Sequence, residues 1–304
     1  MANLIDEHRL AVLKAILRTV AYEDVFDYPL TAVEIHRFLT GLRTTPQVVE
    51  EVLHDHPRLS LVGDFFTLPG REGLVELRQQ RERAAARWWP EALRFGRLIA
   101  SLPFVRMLAV TGSLAMNNIN VAESPDIDYL IVTAAGRLWM CRALALGVAR
   151  MAALRGVRLC PNYLISERAL VFPDQNLYTA HEMVQMVPIY GMNLYADIRR
   201  LNDWTGRFLP NAVDLPPQAA WSAARDQKPG FQSFLEAGLL LSPGSRFERW
   251  EMERKIRMLS NQEHGNPEVF FSADICKGHA NRHGQQTEQI FRRRLTSLSL
   301  DPYP

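Results

Sequence analysis

Thr111-Gly112-Ser113, the spacer Leu114 to Pro125, and Asp126-Ile127-Asp128-Tyr129 form the stretch whose reading decides the fold. The apolar run Phe104 to Val110 ahead of it predicts a buried strand. Gly112 then lets the chain turn sharply, so that Ser113 opens a helix through Leu114, Ala115 and Met116. Amides in the first turn of a helix lack internal partners and sit at the positive end of its dipole, and Ser113 adds a hydroxyl, so this turn suits a phosphate group. A spacer of twelve residues leads to a second strand, Asp126 through Val132. Side chains alternate along a strand, which puts Asp126 and Asp128 on one side and sends Ile127 to the core. Two carboxylates on one side make a poor core and a good site for a hard cation.

Working outward, Arg137-Leu138-Trp139-Met140 starts a helix to about Arg155 that returns the chain for a third strand, Val157 to Ile165. Strand, helix, strand, helix, strand predicts an α+β protein with a small mixed sheet. At these residues the chain resembles the DNA polymerase β nucleotidyltransferase superfamily: a hydrophobic residue, Gly, Ser, a spacer of this length, then Asp, a hydrophobic residue and Asp. The resemblance covers Phe104 to Thr133 and extends loosely to Ile165. It implies that Gly112 and Ser113 grip the outer phosphates of a nucleoside triphosphate (NTP) while Asp126 and Asp128 hold Mg²⁺ or Mn²⁺. The implied reaction moves a nucleoside monophosphate to a hydroxyl acceptor, which the sequence leaves open as small molecule, protein or RNA. It also implies a third carboxylate on the later strand, where Val157 to Ile165 has none. Asn162 lies in that strand, Glu167 follows it, and Glu182 stands further on; these are the candidates for the third place. The alternative is a nucleotide-binding regulator that does not turn its ligand over.

The first 70 residues read as a separate winged-helix-like unit. Helical spacing runs through Leu10, Leu13, Ile16 and Leu17, Thr31 with Glu34 signals a second helix, and Thr45-Pro46 a third. A hairpin follows, with Leu59 to Val62 and Phe65 to Leu68 about the turn Gly63-Asp64. Within 1–70 there are six Arg or Lys against ten Asp or Glu, and Glu50 and Glu51 lie on the third helix, so DNA binding by this unit is not expected.

Residues 71–101, with seven Arg against four Glu, predict a long connecting helix bent or restarted at Pro90. Its charges read as a solvated face and Trp88-Trp89 as packing, with Arg87, Arg94 and Arg97 the alternatives for a site rim. The core is expected over 102–200 and a mainly helical region over 201–304. Asn176 to Leu201 reads as further helices; His181-Glu182-Met183-Val184-Gln185 lacks the second His of a zinc-protease motif, and His181 reads as a polar-face residue. Pro210 to Pro243, richer in Pro, Gln and Gly, reads as containing an exposed connection. Lys277-Gly278-His279 reads as a solvated helix start, with Lys277 and His279 as alternative ligands for triphosphate or acceptor.

The 304 residues are 47% hydrophobic and 22% charged with a net charge of +2, which offers nucleic acid no broad attraction. No apolar block resembles a signal or a membrane span, so a cytoplasmic location without membrane contact is expected. Cys141, Cys160 and Cys276 lack metal-ligand spacing and read as reduced thiols, the first two in the core.

Overall fold

The computed structural model describes residues 2–54, 58–216, 230–240, 242–263, 265–278 and 283–301. The chain opens with α1 (Ala2–Glu23), a short 3₁₀ turn at Asp24–Phe26, β1 (Leu30–Thr31), α2 (Ala32–Arg37), α3 (Pro46–His54), β2 (Ser60–Val62) and β3 (Phe65–Thr67). Thr31 and Glu34 form the expected capping box at α2. Gly63 takes the positive φ of the hairpin turn, and β1, which the sequence reading lacked, adds to β3 to give a three-stranded sheet. Glu50 and Glu51 are exposed on α3.

Next comes α4 (Leu74–Ala100), which passes through Pro90 as one continuous helix. Trp89 is buried and its indole N–H donates to Asn117 Oδ1 at 2.7 Å, so it packs as expected. The remaining elements are β4 (Val105–Thr111), α5 (Gly112–Ala115), β5 (Asp126–Thr133), α6 (Leu138–Ala153), β6 (Arg158–Ser166), α7 (Leu177–Gln185), β7 (Val187–Tyr190), α8 (Met192–Leu201), α9 (Thr205–Phe208), α10 (Gly230–Leu239), α11 (Ser242–Gln262), β8 (Phe270–Phe271), β9 (Ile275–Lys277) and α12 (His283–Ser297).

A mixed sheet in the order β7-β4-β5-β6-β9-β8 organises the molecule. β4 runs antiparallel to β5, and β5 parallel to β6 through the α6 crossover. Three strands lie where helices were expected. Val187-Pro188-Ile189-Tyr190 pairs with β4 inside the stretch read as helical, and the residue before a proline is driven out of the helical region. The C-terminal region supplies β8 and β9, so the sheet draws on residues far beyond 200. Within Pro210 to Pro243, α10 is helical, and 217–229 lie outside the described residues.

Both faces of the sheet are covered, and strand alternation sorts the side chains between them. Leu108, Val110, Ile127, Tyr129 and Ile131 pack with α4, α6 and α11. Met107, Ala109, Leu130 and Val132 face the other way, in one core with α1, α2, α3, α7, α8 and α12. Asp126 and Asp128 share the parity of Leu130 and Val132, so they look toward the N-terminal unit and α7. Among the described residues no helix is long and apolar enough to cross a membrane.

Candidate functional site

At the ends of β4 and β5 the covering layer parts. The cleft there, about 820 Å³, takes in Gly112, Ser113, Asp126, Asp128, Asn162 and Glu182. Gly112 has φ +65°, and a Cβ at that position would stand 2.6 Å from Asp128 Oδ2. Glycine is therefore required twice, for the left-handed turn and for the approach of the carboxylate. The helix that follows, α5, is a single turn. Its dipole is correspondingly small, and the turn's leading amides and the exposed Ser113 hydroxyl are what it presents.

Asp128 sits opposite Thr111 on β4 and Cys160 on β6. From there to the next pairing, Leu130 with Tyr163, β5 advances two residues and β6 three. This irregularity falls at Pro161, which has no N–H to give the ladder, and it turns Asn162 toward the acids. The Asn162 amide donates to Asp128 Oδ1 at 2.7 Å and accepts from the Cys160 thiol. Asp126, exposed at the cleft mouth, pairs with Arg158 at 3.0 Å.

Burial pushes the Asp128 carboxyl up to about 7, and the neighbouring Glu182 and Asp126 add to the shift. Glu182 is likewise pushed up to about 7 by burial, with Lys277 opposing. Cys160 is pushed up to about 11, by burial first and then by Asp128, so it stays a thiol. Such a group of carboxyls is chemically suited to a hard cation, with Asp126 and Asp128 as the residues that could hold it, the Asn162 amide nitrogen bonded to Asp128 and Glu182 across the cleft. Among the described residues no three His, Cys, Asp or Glu side chains stand as a ready-made ion cage.

The structure thus brings Gly112, Ser113, Asp126, Asp128, Asn162 and Glu182 together. It does not bring Glu167, whose N–H bonds to Thr133 O and whose carboxylate accepts from the Ala135 N–H. That is the opposite end of β5, roughly 17 Å from Asp128 at about 3.4 Å per residue. Lys277 is not a helix start; it ends β9 opposite Tyr163, pairs with Asp174 and lines an adjoining cavity of about 530 Å³ between α7 and α12. His279 lies outside the described residues.

Several residues escaped the sequence reading. His181 is 3% exposed, not on a polar face; burial lowers it to about 3, so its ring is neutral. Tyr22 and Glu23 at the end of α1, and Arg81 on α4, also line the cleft, whereas Arg87, Arg94 and Arg97 are exposed and do not. Two acids interrupting the apolar run Val20 to Phe26 were the available signal. The cysteines are free, with Cys141 and Cys276 buried and Cys160 only partly so, which reverses the expected places of the last two. No family model, curated protein or solved structure matches the chain.

Proposed function

We propose that the protein is a metal-dependent nucleotidyltransferase that moves a nucleoside monophosphate from an NTP to a hydroxyl acceptor. The observation that carries this reading is the convergence of the Gly112-Ser113 turn, the Asp126 and Asp128 pair and Glu182 in one cleft. The strand order, antiparallel β4 and β5 followed by a parallel crossover to β6, supports a nucleotidyltransferase core. The N-terminal order of helix, strand, two helices and hairpin supports a winged-helix likeness.

The turn at Gly112 and Ser113 offers backbone and hydroxyl donors to the outer phosphates. Asp126 and Asp128 would hold Mg²⁺ or Mn²⁺, which when bound neutralises phosphate charge and supports departure of pyrophosphate. Glu182 takes the place of the third carboxylate. Its position across the cleft from Asp128 and its pKa of about 7 suit it to receive the acceptor's hydroxyl proton near neutrality. Asn162 orients Asp128 through its amide.

Asn162, in the strand position where the reading calls for an acid, favours a second reading, a nucleotide sensor without turnover. One experiment separates them. Calorimetric titration with each NTP and Mg²⁺ should show binding that weakens at least about tenfold in Asp126→Asn and Asp128→Asn. Incubation with labelled NTP should release pyrophosphate, with a rate falling about 10²- to 10⁴-fold in Glu182→Gln while binding survives. Unaltered binding in both aspartate variants would sink the site. Binding without pyrophosphate release, across a broad acceptor panel, would leave the sensor.

A further inference from the structure

We propose that the cavity between α7 and α12 is a subsite for an uncharged alcohol that carries an aromatic ring, and that this molecule is the acceptor. Its role as acceptor rests on the transferase reading; the site for the ring does not.

The cavity holds about 530 Å³, which is room for a small molecule. It is joined to the cleft. Tyr22, Tyr178 and His283 line both, while Tyr178, Thr179 and Lys277 also line the narrow space behind Asn162 and Glu182. Tyr178 is half-buried and stands one helical turn before Glu182 on α7, so the two side chains lie on the same face. Glu182 is also the main reason the Tyr178 phenol is raised above its ordinary value. A molecule seated against Tyr178 thus lies next to the carboxylate that receives the acceptor's proton.

Rings decide the body of the ligand. Tyr22, Tyr178, Phe208 and Phe291 give the lining four aromatic side chains, and Leu177 and Leu295 add aliphatic surface. The Tyr22 and Phe291 rings meet edge-on at 5.2 Å, so each fixes the other. Aromatic faces and edges pack most favourably with another ring, offset or edge-on.

Charge decides what the ligand lacks. Lys277 pairs with Asp174, and Arg292 with Glu288. Glu268 accepts from the N–H of Gln285 at 2.7 Å and of Gly284 at 3.3 Å, in the first turn of α12. The histidine on the lining, His283, is exposed. Each of the five charged side chains is therefore already matched, by an opposite charge or by helix amides. A phosphate, carboxylate or ammonium entering here would shed its water with no counter-charge waiting. An alcohol brings only the hydroxyl that the reaction requires at Glu182.

The probes are 2-phenylethanol, phenethylamine and phenylacetate, which share a ring and differ in charge, each added to the full chain without nucleotide or Mg²⁺. At about 1 mM probe, saturation-transfer NMR should report the alcohol bound at least about fivefold more strongly than either ion. Thr179→Trp, which fills the place where the two spaces meet, should abolish the alcohol's signal; should that variant not fold, Gln285→Trp at the exposed start of α12 is read instead. No signal from the alcohol, equal signals from the three probes, or a signal kept in the variant read would overturn the subsite. The expected signals together with no pyrophosphate release from labelled NTP, whatever the acceptor, would fault the transferase reading and leave the ring site standing.

Discussion

Glu23, Asp128, Glu182 and His181 set how stability should respond to pH. Burial raises the three carboxyls to about 8, 7 and 7. Between their ordinary range near pH 4 and those values the folded protein keeps protons that the unfolded chain has released, so stability falls as pH rises. His181 acts with the opposite sign. Its ring stays neutral in the fold down to about pH 3 but is protonated in the unfolded chain below about 6.5, so its contribution is recovered as pH rises to 6.5. Above that only the carboxyl effect remains. The thermal midpoint in chelator should therefore drop from pH 6.5 to just beyond 8. Glu23→Gln should flatten the drop and exceed the parent at its upper end, and a parent midpoint that climbs through this window would contradict the buried-carboxyl account.

Among the elements, α6 shows how a helix can borrow its terminus. Arg137 at its N-cap makes no side-chain cap. Instead Glu248 on α11 accepts from the N–H of Trp139 at 2.9 Å and of Met140 at 2.7 Å. The carboxylate thus satisfies two first-turn donors and meets the positive end of the α6 dipole. Glu248→Ala should cost about 1–2 kcal/mol in urea unfolding, and Glu248→Gln less, because an amide oxygen still accepts. An alanine variant as stable as the parent would show that water serves these amides equally well. Helical periodicity announced α6, but not its cap, which lies over a hundred residues along the chain.

For the whole molecule, the decisive feature is that the N-terminal unit is built into the rest. Its Val12, Ile16, Val20 and Leu39 share one core with Met107 and Leu130 of the sheet and Phe291 of α12. Arg78 of α4 reaches Glu34 at 2.7 Å, and Asp24 is held by Arg71 at 2.9 Å and Arg294 at 2.8 Å. Deleting 1–70 would expose this apolar surface and remove Tyr22 and Glu23 from the cleft. The truncated chain should show no cooperative urea transition by circular dichroism. A sharp transition would mean that the sheet and its remaining helices fold alone.

What the sequence determined by itself was local. The turn at Gly112, the alternation of Asp126 and Asp128, the capping box at Thr31 and the hairpin at Gly63 follow from backbone sterics and side-chain period, which act over a few residues. Tertiary structure decided what distant segments share. It brought Glu182, on α7, into the cleft of Asp128 by helix packing, whereas the β5–β6 register and its irregularity at Pro161 turned Asn162 toward Asp128 and left Glu167 at the far end of the strand. It added β7 and β9 to the sheet, since a short strand is defined by the edge it joins rather than by its own residues. It also made Tyr22, Glu23 and His181 one wall, because burial is a property of the assembled core and no spacing along the chain announces it.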